Sequence, residues 1–380
     1  MTNMPDYREC VKCILNTTDD KAITFDKNGV CNHCLNYDKL VATGIKTEKQ
    51  LESKVAEMKA AGNGKAYDCI IGVSGGIDST YVALKVKEYG LRPLVIHLDN
   101  GWNSAIAVQN INNIVSKLNF DLYTHVIDWE EFKDLQLSFL KASVVDLELT
   151  SDHAIFSVLY KLAYKYKIKY VISGFNIATE GILPKSWRGS KFDWLNIKAI
   201  QEKFGTKKLK TYPHTDFFKK AYYDMVLKID TVQILNYLNY DKEKAKEIII
   251  KELGWQDYGG KHFESIITRF YQGYILPTKF KIDKRKAHLS TLICSGQLTK
   301  AEAFQELRKE MYAPSQYFED RAFFLKKFDI SNAEFEAIMQ LPEQPHDAYP
   351  SYETSHYVYH EKFFRAISPI TKLIRNILKR

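Results

Sequence analysis

Four short apolar-rich runs punctuate the first half of the chain: Tyr67–Val73, Pro93–Leu98, Leu122–Ile127 and Tyr170–Ser173. Runs of this length, bounded by Gly, Asn or Asp, read as strands. Between them, Thr80–Tyr89, Ala105–Leu118 and Asp152–Lys167 carry apolar residues at helical spacing, with Asp152 placed to cap the last of these. Alternating strands and helices predict an α/β fold with a doubly wound, mostly parallel sheet and ligands at the carboxyl ends of its strands. From about Phe217 the pattern turns helical, over Asp230–Leu238, Lys242–Leu253, Phe263–Tyr271 and Lys300–Glu310. Upstream, Thr47 and Gln50 form a capping-box pair ahead of Leu51, Val55 and Met58, and Gly62-Asn63-Gly64 ends that helix. The expected organisation is a cysteine module over 1–45, a linker helix over 46–64, the α/β domain over 65–215, a helical region over 216–345 and a tail over 346–380.

Composition changes this picture little. Hydrophobic content of 45% and charged content of 26% describe a globular chain. Asp6, Arg8 and Glu9 interrupt any secretory segment after Met1, and no apolar stretch approaches the ~20 residues of a spanning helix, so a cytoplasmic protein is expected. The net charge of +8 is concentrated at one end: Lys362–Arg380 holds six Lys/Arg and no acid, leaving 48 basic and 46 acidic residues elsewhere. A nearly neutral body does not call for a nucleic-acid groove.

Cysteine spacing adds chemistry. Cys10, Cys13, Cys31 and Cys34 form C-x2-C-x17-C-x2-C, the spacing of a closed tetrahedral zinc site, with an iron–sulfur cluster as the lesser alternative. Such a site has no open coordination position and serves folding or docking. Asn28-Gly29 marks a short hairpin between the pairs. Cys69, mid-strand, and Cys294 are left over.

The strongest local signal is Ser74-Gly75-Gly76-Ile77-Asp78-Ser79, between the first strand and a helix. Paired glycines let backbone N–H groups close on a phosphate where a Cβ would intrude, the serines add hydroxyl donors, and the helix N-terminus favours an anion. The Walker A pattern, which needs Gly-Lys-Ser/Thr, is absent here. The string resembles the phosphate loop of the PP-loop ATP pyrophosphatases, which cleave ATP between the α and β phosphates. With Gly72 and Val73 before it, Asp99 ending the second strand and Gly174 after the fourth, it outlines an ATP site.

Further strings resemble one family within that group, the bacterial N-acetyl sugar amidotransferases of surface-polysaccharide and flagellar-sugar synthesis. They are the cysteine pairs, Asp152-His153-Ala154, Ser173-Gly174-Phe175-Asn176, Thr179-Glu180, Ser186-Trp187, Leu253-Gly254-Trp255, Tyr258 to Ser265 and Asp283 to Ser290. The resemblance implies an acetamido group on a nucleotide-linked (UDP-linked) sugar converted to acetamidino, with ATP and Mg²⁺. Ammonia would come from a separate glutaminase with a cyclase-like subunit, and the product would serve lipopolysaccharide or O-antigen synthesis. It favours Asp78 at the ATP site, with Glu180 as second magnesium ligand; Asp78 could equally cap its helix. Lys261, His262, Lys284, Arg285 and Arg269 would neutralise pyrophosphate or the substrate diphosphate, against the alternative of a solvated basic face. His153 would serve the ammonia step or bind substrate, or simply pack. Asn176, Glu180 and Trp187 would contact the sugar nucleotide, although a core tryptophan is equally ordinary.

Ser368-Pro369 opens an amphipathic basic segment to Arg380 that could touch anionic membrane or pack on the protein. Two other functions remain. A tRNA-modifying sulfur transferase would use the same adenylation but needs sulfur-carrying cysteines near the site, and only Cys69 and Cys294 remain. A non-catalytic zinc-ribbon nucleic-acid binder fits poorly with the near-neutral body and the phosphate loop.

Overall fold

A computed structural model describes residues 7–260, 263–311 and 313–354. Lys261, His262 and the basic segment 368–380 lie outside the described residues.

Two helices, α1 (Asn32–Gly44) and α2 (Glu48–Gly62), precede the sheet. The strands β1 (Cys69–Gly72), β2 (Pro93–Asp99), β3 (Asp121–Val126), β4 (Tyr170–Ser173) and β5 (Asp230–Gln233) pair in parallel, in the order β3-β2-β1-β4-β5. The chain moves outward from β1 to β3 through α3 (Ile77–Glu88) and α4 (Ala105–Leu118). It then returns through α5 (Trp129–Ala142) and α6 (Leu149–Lys165) to β4, on the other side of β1. Right-handed crossovers put helices on opposite faces for the two directions. Alternate residues of the strands show this directly. Ile71 and Val95 join Val82, Val86, Ile111 and Met58 in one core. Ile70 and Ile96 join Phe132, Phe139, Val158 and Leu162 in the other. The doubly wound parallel sheet is as the periodicity requires, and the direction reverses between β1 and β4, where such sheets place their ligands.

Several segments differ from their sequence reading. Asp230–Leu238 is not a helix: its first half is β5, and Ile234–Tyr237 is a 3₁₀ turn. Val232 and Ile234 lie two apart, so the short run fits either period, and pairing with β4 decides it. Asp152 does not cap α6, which begins at Leu149; Asp152 lies in its first turn and pairs with Lys191 at 2.7 Å. In place of a hairpin between the cysteine pairs, a single bridge joins Phe25 to Cys31 around a turn at Gly29 with φ +81°, and another, Glu9 with Asn16, brackets the first pair.

After β4 come α7 (Ile177–Glu180), α8 (Trp194–Phe204) and α9 (Phe217–Ala221); after β5 comes α10 (Lys242–Leu253). The described residues that follow are mainly helical: α11 (Ile266–Phe270), a π turn over Tyr271–Ile275, α12 (Leu276–Lys279), α13 (Lys284–Cys294), α14 (Lys300–Arg308), α15 (Pro314–Phe328) and α16 (Asn332–Gln340). Aromatic rings of Phe270, Phe324, Phe328 and Phe335 dock these helices on Trp102, just beyond β2. Ile266 N–H donates to the Trp102 carbonyl and Ser104 N–H to that of Glu264, so residues 264–266 lie across the carboxyl end of β2.

Candidate functional site: a nucleotide cleft and a four-cysteine centre

The 74–79 loop closes on itself. The Ser79 hydroxyl accepts from Ser74 N–H and lies 3.3 Å from the Ser74 hydroxyl, which accepts from Gly76 N–H. Gly75 sits at φ +80°, and a Cβ there would fall 2.6 Å from the Ala107 carbonyl oxygen, so only glycine fits without displacing α4. The Gly75 carbonyl accepts from the Trp255 indole N–H at 2.8 Å and from Asn110 Nδ2 at 3.3 Å. Asn110, fully buried, also exchanges hydrogen bonds with the Gln256 backbone in both directions. The loop is therefore anchored from outside, its outward polar atoms left to face the cleft.

That cleft, about 350 Å³, opens at the β1/β4 switch point. Ser74, Gly76, Asp78, Ser79, Gly174 and Glu180 line it, six of the positions expected from sequence. The facing wall comes from α10 and the segment after it, with Lys242, Lys246, Asp257, Tyr258 and Glu264. Lys246 is paired with Asp257. The Tyr240 hydroxyl donates to Asp78. Burial, then the Asp78 charge, pushes the Tyr240 pKa up. Burial and then Glu264 do the same for Tyr258. Both phenols therefore stay protonated and act as donors toward these carboxylates. Carboxylates, hydroxyls, backbone N–H groups and two lysines on one concave surface can hold a polyphosphate together with a hard cation.

Sequence reasoning gave the second wall no site role, although Tyr258 and Glu264 stand in one of the strings it singled out. Tyr240, Lys242, Lys246 and Tyr258 come from chain far beyond the loop and meet it only through packing of α10 on α3. One signal was available: Lys242 opens α10 and Lys246 follows a turn later, placing cations where the helix macrodipole favours an anion.

Other expected site residues do not line the cleft. His153 is buried beside the Trp194 and Tyr212 rings, nearly parallel to both. Its Nδ1 meets the Lys191 carbonyl at 2.9 Å and its Nε2 accepts from Thr215 N–H, so neither nitrogen is available to a substrate; burial pushes its pKa down to about 4. Trp187, also buried, donates its indole N–H to the Asp19 carbonyl rather than stacking on a ligand. Buried Asn176 caps α7 through Thr179 N–H. Arg269 makes a two-pronged pair with Asp320 at 2.6 and 2.7 Å. Arg285 folds back on Asp283 and donates to the Lys309 carbonyl. Lys284 pairs with Glu148, which also accepts from Gln272. In each case a protein partner takes the group the cleft was expected to use. Gly72 and Val73 lead into the loop from β1, and Asp99 accepts from Gly101 N–H at 2.9 Å in the neighbouring turn.

The second centre is the cysteine cluster. The Sγ atoms of Cys10, Cys13, Cys31 and Cys34 all lie within 4.8 Å of one another and are fully buried. Their contacts of 3.6 to 3.8 Å match the sulfur separations, about 3.8 Å, of a tetrahedron with metal–sulfur bonds of about 2.3 Å. Backbone N–H groups of Lys12, Cys13 and Cys31 point at Cys10 Sγ, as suits a thiolate. Cys294, left uncommitted by its sequence position, brings its sulfur to 3.6 Å from that of Cys34.

Residues 264–363 match a family model described as "LPS biosynthesis protein WbpG-like, C-terminal domain". No curated protein matches the chain. Among solved structures, the NMN synthetase of Francisella tularensis is 18% identical over 55% of this chain and 87% of its own, with TM-score 0.28. The NH3-dependent NAD synthetase of Campylobacter jejuni is 13% identical over 78% and 98%, with TM-score 0.29. A predicted tRNA methyltransferase subunit of Methanocaldococcus jannaschii is 12% identical over 48% and 75%, with TM-score 0.28. TM-scores this low carry no argument of their own. The family match covers residues 264–363, about a quarter of the chain, and agrees with the family resemblance of the motifs.

Proposed function

We propose that the chain is the ATP-dependent synthetase of an amidotransferase, converting an acetamido group on a nucleotide-linked sugar to an acetamidino group. The observation that carries this reading is the closed Ser74–Ser79 loop at the β1/β4 switch point, with Asp78 and Glu180 in the same cleft. An amide carbon is a poor electrophile and its oxygen a poor leaving group. If the amide oxygen attacks the α-phosphorus of ATP, pyrophosphate leaves and an O-adenylated imidate forms. Ammonia then adds, AMP departs and C=O becomes C=NH. The protein's share is positioning and charge neutralisation. Loop N–H groups and the Ser74 and Ser79 hydroxyls would hold the β and γ phosphates, with Lys242 and Lys246 opposite them. Asp78 and Glu180 suit Mg²⁺, which would neutralise charge on the phosphate oxygens. The cysteine cluster suits Zn²⁺ in a structural role.

Ammonia would come from a partner glutaminase through its cyclase-like subunit, in the cytoplasm or at the inner face of the membrane. The cysteine placements weigh against sulfur transfer: Cys69 is fully buried in β1, Cys294 stands beside the cluster, and neither lines the cleft.

The test supplies ATP, Mg²⁺, ammonium and UDP-linked acetamido sugars. AMP, pyrophosphate and a product in which NH replaces O are expected; ADP with inorganic phosphate would refute the chemistry. Ser74→Ala and Asp78→Ala should each lower AMP formation about tenfold or more while keeping the metal of the cysteine cluster.

A further inference from the structure

The wall of the cleft that carries Glu180 has its back against the cysteine module. α1 begins at the second cysteine pair, with Cys31 as its N-cap and Cys34 in its first turn, and runs to Gly44. Its Tyr37, almost fully buried, meets Gly181 so closely that a Cβ on that glycine would lie 2.8 Å from the ring. A Cβ on Gly44 would lie 2.4 Å from Ile177 Cδ1. α1 thus touches both ends of the Ile177–Gly181 turn. Where α1 ends, Lys46 N–H donates to the Asn236 carbonyl, while the Asn236 side chain accepts from Ile177 N–H at 2.8 Å.

The other side of the turn is held by α13, which ends at Cys294 beside Cys34. His288 meets the Thr179 carbonyl at 3.0 Å, and the Thr291 hydroxyl accepts from Ile182 N–H at 3.0 Å. The downstream chain is tied to the module as well: Ser186 donates to Asp20 and Trp187 to the Asp19 carbonyl. Little but these contacts fixes a four-residue helix.

We propose that the four-cysteine module is the back wall of the nucleotide cleft: the metal-closed module holds α1, and Tyr37 and Gly44 of α1 act as positioning residues for Ile177–Gly181, and with it Glu180. The proposal rests on the reading of the cleft as a nucleotide site. By linkage, a nucleotide that binds better to the metal-loaded module must tighten metal binding by the same factor.

The experiment compares the full chain with Tyr37→Ala, Tyr37→Phe and Gly44→Ala. It measures metal content, amide exchange over 177–182, and binding of Mg²⁺ with a non-hydrolysable ATP analogue. Tyr37→Ala is expected to keep its metal, to speed exchange over 177–182 about tenfold and to weaken nucleotide binding by a similar factor, with Tyr37→Phe restoring both. Gly44→Ala, far from the sulfurs and compatible with a helix end, should disturb the same amides and keeps the test available if Tyr37→Ala fails to fold. Wild-type exchange in a metal-loaded variant would overturn the positioning role. Unaltered nucleotide affinity, in a chain whose wild type binds, would overturn the coupling. A wild type that binds no nucleotide would overturn the reading of the cleft, and the exchange data would then decide the positioning alone.

Discussion

His153, a candidate for the ammonia step by its sequence, has both ring nitrogens on backbone groups in the fold. Its Nδ1–H donates to the Lys191 carbonyl and its Nε2 accepts from Thr215, which fixes the neutral tautomer. A second proton would face the Thr215 N–H inside an aromatic stack. Its pKa falls from the ordinary 6.5 to about 4, so the unfolded chain binds a proton first as pH drops. The stability tied to the neutral ring is intact above pH 6.5 and is lost as pH falls toward 4, by about 3 kcal/mol at most. His153→Gln should be less stable than wild type at pH 7.5, and thermal unfolding should show the gap narrowing between pH 6.5 and 4.5. A constant gap across that range would contradict the assignment. Lys246, by contrast, lies in the cleft, and Lys246→Ala should raise the KM for ATP several-fold with little change in melting temperature.

Among elements, the phosphate loop depends on neighbours distant in sequence. Asn110 of α4 ties the Gly75 carbonyl to the Gln256 backbone, so Asn110→Ala leaves buried polar groups without partners at a cost of about 1–3 kcal/mol. Equilibrium unfolding should show that loss, and nucleotide binding should weaken in parallel. The loop itself was legible because glycines, serines and a strand–helix junction are local features. β1, β2 and β4 were legible for the same reason, since strands buried on both faces are written as apolar runs. The facing wall was not: nothing near Tyr240 or Tyr258 in sequence says that α10 packs on α3. The partners of Arg269 and Lys284 were not legible, because Asp320 and Glu148 lie far away in the chain; that of Arg285, Asp283, stands two residues before it. Asp230–Leu238 misled because four paired residues are too few to establish a period.

At the scale of the whole molecule, the charged groups near Glu148 act as a fastening. Lys191 bridges Asp146 and Asp152, and Lys284 of α13 reaches Glu148 just ahead of α6, with Gln272 on the same carboxylate. Burial opposes the Lys191 charge, but Asp152 and Asp146 outweigh it and push its pKa up. Lys284→Met would leave the half-buried Glu148 carboxylate its bond from Gln272 but not its cation. A loss of about 1–3 kcal/mol in urea unfolding, with an unchanged slope, is expected. The indole that holds the Gly75 carbonyl also makes the chain its own optical probe. Trp255 is one of five tryptophans, and its N–H ends on the loop that would close around phosphate. Tightening of that loop should shift tryptophan emission on addition of ATP, and the shift should vanish in Trp255→Phe. Occupancy of the cleft could then be read in stopped flow, without any label and without a second substrate.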